Sequence, residues 1–182
     1  NHMGSDTVAA WTAYGRIDAL WWMIDQAFCV SITTFVGQNF GAGKPDRIKK
    51  GIAEVIAMET VLAVITGLIV VNAAPVLLSL FTTSKSVIAI GRLISHDIAP
   101  FYWTFICSEI LSSALRAENY VMVTTVTNLL GICLFRIIWV HFVASSGIVS
   151  LLYCYPISYV ITSTLVLLYF LYRQPKISKK LR

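Results

Sequence analysis

Charge is what this sequence has least of. Asp, Glu, Lys and Arg make up 13% of its 182 residues, against about 25% in a typical soluble domain. Together with 57% hydrophobic residues, that shortage excludes an ordinary water-soluble globule. Catalytic signatures are also missing. There is no Gly-x-Ser-x-Gly, no His-Glu-x-x-His, no P-loop and no paired His/Asp arrangement with enzyme spacing, so the chain does not read as an enzyme. Metal-ligand spacing is absent too. Cys29, Cys107, Cys133 and Cys154 each sit alone inside an apolar stretch and read as small packing residues. No signal-peptide pattern opens the chain. Asn1-His2-Met3-Gly4-Ser5 reads either as an appended leader scar or as a loop entering a span.

The apolar residues are clustered, and five segments stand out, at about 8–36, 52–81, 87–115, 120–143 and 148–172. Each is long enough to cross a hydrocarbon core of roughly 30 Å. In lipid every backbone group must be satisfied within the segment, which demands helix here. A barrel would need alternating segments of about ten residues, and none is present. The expected fold is therefore all-α, a polytopic transmembrane bundle of about five helices filling residues 1–172, followed by a basic cytoplasmic tail at 173–182. Gly37, Gly41 and Gly43 can close the first helix through positive φ, and Pro45 blocks its simple continuation.

The net charge of +5 does not point to nucleic acid. Its basic residues lie in the 44–50 loop and the 173–182 tail, beside spans, as cytoplasmic flanks do. The opposite side carries clearly only Lys85. The positive-inside rule then places the N-terminus outside and the C-terminus in the cytoplasm, in a multi-pass protein of the cell membrane. An outside start implies at least one further helix upstream. Trp11, Tyr14 and Trp139 near outer ends, and Tyr120, Tyr169 and Tyr172 near inner ends, fit an interfacial belt. Trp21, Trp22, Tyr102 and Trp103 lie near mid-helix and do not.

Ionisable residues inside spans are costly and usually face a bundle interior or a water cavity. The third segment is richest, with Arg92, His96, Asp97 and Glu109 around Pro100. Pro100 lacks an N–H and so frees the carbonyl of His96. A carboxylate beside a freed carbonyl suits a proton or a small cation, so Asp97 and His96 are candidate coupling residues and Asp97 a candidate Na⁺ ligand. The plainer reading pairs Asp97 with Arg92 or a helix neighbour. In the first segment Asp18 and Asp25 are seven apart and share a face, with Trp22 between them and Gln26 one step round. A mid-membrane Asp25 beside Trp22 suits an organic cation through charge and cation–π attraction. Trp22, Gln26, Tyr102 and Trp103 are the candidate cavity residues; packing or lipid contact is the alternative for the tryptophans. Asp18 either pairs with Arg16 or faces water. Glu54, four after Lys50, reads as a surface pair at the start of the second helix, where Glu59 also falls.

The first fifty residues carry a resemblance. Ala9-Ala10 and Gly15-Arg16-Ile17-Asp18 open the first helix. Val36-Gly37-Gln38-Asn39-Phe40-Gly41-Ala42-Gly43-Lys44-Pro45-Asp46-Arg47 closes it, and Gly51 follows. Ala114-Leu115-Arg116-Ala117 ends the third helix. This pattern is similar to the multidrug and toxic compound extrusion (MATE) family of antiporters, with Gly37, Gln38, Asn39, Gly41, Ala42 and Gly43 as the family motif loop. The resemblance implies most of one six-helix lobe of a twelve-helix protein, the C-terminal lobe without its first helix. The missing N-terminal lobe and that helix would be its partners, with membrane lipid around them. It implies exchange of Na⁺ or H⁺, the coupling ion, for an organic cation, with no other cofactor. It also implies a coupling carboxylate on the third helix here, for which Asp97 is the candidate. The alternatives are a lipid-linked oligosaccharide flippase of the same superfamily, which would want a cationic cavity, and a non-transporting membrane scaffold, which would not need Asp25 and Asp97 at mid-depth.

Overall fold

The structure, a computed structural model, describes residues 4–143 and 148–181, with side chains placed for 4–143 and 149–174. Its described residues are almost wholly helical, and five helical stretches are long and apolar enough to cross a membrane: Ser5–Gly41, Pro45–Ser79, Lys85–Ala117, Val121–Val143 and Val149–Gln174. The chain is a multi-pass membrane bundle of the all-α class.

Helix α1 (Ser5–Gly41) runs through the glycine motif instead of stopping before it. Gly37 and Gly41 stay helical and face open space, and Asn39 donates its side-chain N–H to the Phe35 carbonyl at 2.8 Å. Only Gly43 of the three motif glycines takes a positive φ, at 65°. There the chain turns sharply, and the amide of Lys44 returns to the Asn39 carbonyl at 2.9 Å. Helix α2 (Pro45–Ser79) begins with proline in its first turn, where a missing N–H costs nothing.

The third span is broken at its proline. Helix α3 (Lys85–Ile98) passes through a short 3₁₀ turn at Ala99–Phe101 into α4 (Tyr102–Ala117). The displaced backbone is met by a glycine. A Cβ on Gly67 of α2 would stand 2.8 Å from the Ala99 carbonyl oxygen. The fourth span comprises α5 (Val121–Asn128), a π-helical segment Leu129–Leu134 and α6 (Phe135–Val143). Within it Gly131 packs against the Thr162 side chain. The fifth comprises α7 (Ile148–Leu152) and α8 (Cys154–Leu181). Helix α8 continues past Arg173 to Leu181, so the basic segment expected as a tail is helical in its backbone. The polar connection expected at 144–147 lies outside the described residues.

Helix α4 is the centre of the bundle. Tyr102, Ile106, Ile110, Leu111, Ala114 and Leu115 are all at most 2% exposed. It packs on α1, α2 and α8, and Ser163 of α8 donates to the Thr104 carbonyl at 2.6 Å. Without a hydrophobic drive between helices in lipid, small residues and interhelical hydrogen bonds of this kind set the packing. Large apolar side chains such as Met23, Leu68, Met122 and Leu168 point outward, as a lipid-facing surface requires.

Candidate functional site

A cavity of about 490 Å³ opens between α1, α4, the π-helical segment and α8, lined among others by Trp11, Asp18, Trp22, Gln26, Glu109 and Arg136. Its volume is that of a small-molecule site. Three of these residues follow from α1's periodicity: Asp18, Trp22 and Gln26 are four apart and share one stripe.

Asp18 is held rigidly. The hydroxyl of Tyr102 donates to its carboxylate at 2.6 Å, the Trp22 indole N–H at 2.7 Å and the Tyr14 hydroxyl at 3.2 Å. Tyr14 and Tyr102 also touch through their hydroxyls at 3.0 Å. Beneath them Trp21 stacks on Tyr102, ring centres 5.2 Å apart and planes within 6°. Three neutral donors satisfy the carboxylate without cancelling its charge. Asp18 thus does not take the Arg16 pairing offered by the sequence: its partners are aromatic donors, it lines the cavity, and the Arg16 guanidinium lies 5.7 Å over the Phe81 ring. On the far wall Arg136 stacks over Tyr155 at 4.2 Å and Tyr159 at 5.3 Å, and donates to the Ser158 hydroxyl at 3.1 Å. The cavity therefore presents two carboxylates, Asp18 and Glu109, against one guanidinium that is already engaged.

Glu109 also reaches a second group of residues, deeper in the bundle. Ligand atoms of Asp25, Cys29 and Glu109 lie within 4.8 Å of one another. Asp25 is 1% exposed, and the Cys29 thiol points at its carboxylate from 3.9 Å. Glu59 of α2 lies near Asp25 and is fully buried, with no donor on either oxygen. Sequence spacing read Cys29 as packing and Glu59 as an acid near a helix start. Both turn inward: Cys29 stands one helical turn from Asp25 on α1, while only the fold brings Glu59 near it. Glu54, by contrast, sits on the surface 3.8 Å from Lys50.

The other sequence candidates scatter. Trp22 and Gln26 line the cavity. Tyr102 stands behind the wall, acting on the cavity through Asp18. Trp103 points away, into an apolar hollow with Phe101, Tyr153 and Pro156. Asp97 and His96 form their own shallow hollow with Arg92 and Leu93. Their side chains approach to 3.7 Å, with the imidazole 75% exposed. One Asp97 oxygen is buried without a donor, but among the described residues Asp97 joins no group of metal-type ligands; Asp25, Cys29 and Glu109 do. In the glycine motif Asn39 is buried while Gly37, Gln38, Gly41, Ala42 and Gly43 are exposed, so the motif shapes the turn and stands apart from the cavity.

One further acid lies just beyond a span. Glu118 follows α4, is 3% exposed and has no hydrogen-bond donor on its carboxylate. Burial pushes its pKa up to about 7, against the attraction of Arg173. Arg173 itself stacks on Tyr120 at 4.1 Å.

Comparison with known proteins agrees with this architecture. Over 132 residues the chain is 24% identical to the probable multidrug resistance protein YoeA of Bacillus subtilis (strain 168), covering 72% of this chain and 28% of that protein. The chain thus spans little more than a quarter of that relative's length. The MatE family model matches residues 1–143, which include the glycine motif, four of the five spans and both acid groups. On that match the chain belongs to the MatE family of membrane transporters.

Proposed function

We propose that the protein exports organic cations in exchange for an inward-moving Na⁺ or H⁺. The observation that carries this reading is the cavity in which Asp18 and Glu109 sit among Trp11, Trp22, Tyr14, Tyr155 and Tyr159. Carboxylates supply the charge an organic cation needs, and aromatic faces supply cation–π attraction that strengthens when water is excluded. The flippase alternative would want a cationic cavity, yet Arg136 is outnumbered two to one and committed to Tyr155 and Ser158. The name of the Bacillus relative, a probable multidrug resistance protein, is in keeping with drug export. The partner this reading implies is an opposing lobe across the cavity, with lipid around the outer faces. The basic ends of the helices face the cytoplasm of the cell membrane on the same reading.

Competition tests the substrate class. The full-length protein in membrane vesicles should extrude ethidium, and tetraphenylphosphonium should compete with it. An anionic lipid-linked sugar should not. Competition by the anionic compound and none by the phosphonium would transfer the reading to the flippase.

A further inference from the structure

We propose that Arg136 is a resident cation of the cavity: it fills the Tyr155–Tyr159 aromatic face that a substrate cation would use, and the substrate displaces it. Arg136 thereby sets how tightly the cavity binds and how much positive charge it accepts. The proposal rests on the cation-export reading and names a specificity-determining residue within that site.

The backbone puts the side chain there. Arg136 follows the π-helical segment Leu129–Leu134 by two residues, in the first turn of α6. A π-helical turn closes over one residue more than an α-turn. Each extra residue turns the side chains after it by about 100° from where unbroken α-helix would aim them. Gly131 holds the segment against α8, where a Cβ would clash with the Thr162 hydroxyl. The guanidinium then lies over the rings of Tyr155 at 4.2 Å and Tyr159 at 5.3 Å. Its Nε–H donates to the Ser158 hydroxyl at 3.1 Å. Ser158 gives its own proton to the Tyr155 carbonyl at 2.9 Å, so its lone pairs are free to accept from Arg136.

These partners are all neutral. Among the described residues Arg136 forms no ion pair. Positive charge over ring faces, with no fixed counter-ion, is how an aromatic site holds an organic cation. Asp18 and Glu109 line the same cavity as Arg136, Tyr155 and Tyr159. When both acids are ionised, the guanidinium offsets one of their two negative charges. An entering cation therefore meets an aromatic face already filled and an attraction partly cancelled. Displacing Arg136 breaks ring contacts and one hydrogen bond to a neutral hydroxyl. Removing it from a buried carboxylate would be far costlier. The arrangement suits a side chain that yields its place and returns when the substrate leaves.

Binding of tetraphenylphosphonium to the full-length protein in lipid nanodiscs tests this. Arg136→Gln should bind it roughly tenfold more tightly than wild type, through the vacated rings and the lost repulsion. Arg136→Lys keeps the charge and should lie between the two. A dication feels twice the repulsion from the same guanidinium, so methyl viologen should gain more than tetraphenylphosphonium in Arg136→Gln. A residue needed only for packing would weaken binding when replaced, so a gain separates the two roles. Ser158→Ala removes the hydrogen bond that tethers Arg136 and should tighten tetraphenylphosphonium binding about threefold. Unchanged or weaker binding of tetraphenylphosphonium in Arg136→Gln, or a smaller gain for methyl viologen, would overturn the proposal. If Arg136→Gln does not fold, Ser158→Ala decides in the same way. Wild-type binding without these gains sinks the role of Arg136 alone. No binding by wild type or any variant sinks the cation reading and this proposal with it.

Discussion

Tyr102 and Asp18 are 84 residues apart in sequence, and the tyrosine hydroxyl donates to the carboxylate at 2.6 Å. This bond ties the third span to the first at the wall of the cavity. It orients the acid while leaving its negative charge in place. Tyr102 begins α4, directly after the 3₁₀ turn, so the break at Pro100 sets where this donor points.

Tyr102→Phe should therefore weaken substrate binding without emptying the cavity. Hydrogen bonds to charged groups contribute about 1.5–3 kcal/mol, and Trp22 and Tyr14 remain as donors to Asp18. The expected outcome is a roughly tenfold rise in KM for a cationic dye, with loss of thermal stability in detergent. An unchanged KM would separate Asp18's orientation from binding.

Gly67→Ala tests the packing at the kink. Alanine normally favours a helix over glycine by about 1 kcal/mol. Here its Cβ would meet the Ala99 carbonyl at 2.8 Å, a backbone atom with little room to yield. Overpacking of this kind costs typically 1–3 kcal/mol, so the melting temperature should fall. A rise would show that α2 and the kink can part at no cost.

Glu118 gives the bundle a pH dependence. Its folded-state pKa is raised to about 7 from an ordinary glutamate value of 4.5. The folded state then binds more protons than the unfolded state between those values, so stability falls as pH rises from about 5 to 7 and levels off above. Glu118→Gln should flatten that fall and leave the variant more stable than wild type at pH 8, by up to ~3 kcal/mol. Thermal inactivation followed from pH 5 to pH 8 reads this directly. A variant that loses stability equally at both ends would show that the carboxylate is held by its neighbours.

Much of this was legible in the sequence, for physical reasons. Five crossings follow from apolar length alone. The Asp18–Trp22–Gln26 stripe follows from helical spacing, because it lies on one element. The Asp25–Glu59 meeting does not. Glu59 lies 14 residues into α2, about 21 Å from its start at 1.5 Å per residue. It read as an end-of-helix acid because the sequence placed that helix's start later, near residue 52. Trp103 illustrates the opposite error. It sits next to Tyr102, and neighbouring residues on a helix diverge by about 100°, so one turned inward and the other outward. The motif glycines read as a stop, yet only Gly43 leaves the helix, since nothing in Gly37 or Gly41 forbids α-helical backbone.

Asp97 lies apart from both the cavity acids and the Asp25 group. It shares a hollow with His96 and Arg92, away from the cavity. Asp97→Asn should keep dye export within about threefold of wild type, a change of under 1 kcal/mol. Abolished export with normal expression would instead place ion coupling at Asp97 and His96.

Glu109 lines the cavity and lies within 4.8 Å of the Asp25 and Cys29 ligand atoms, so uphill export by the Glu109→Gln variant tests the central claim most directly. In liposomes holding the full-length protein, an imposed cation gradient should drive ethidium against its own gradient in wild type. Glu109→Gln should reduce that rate at least about tenfold, roughly 1.4 kcal/mol. Equal uphill rates in wild type and variant would contradict a cation exporter working through this cavity.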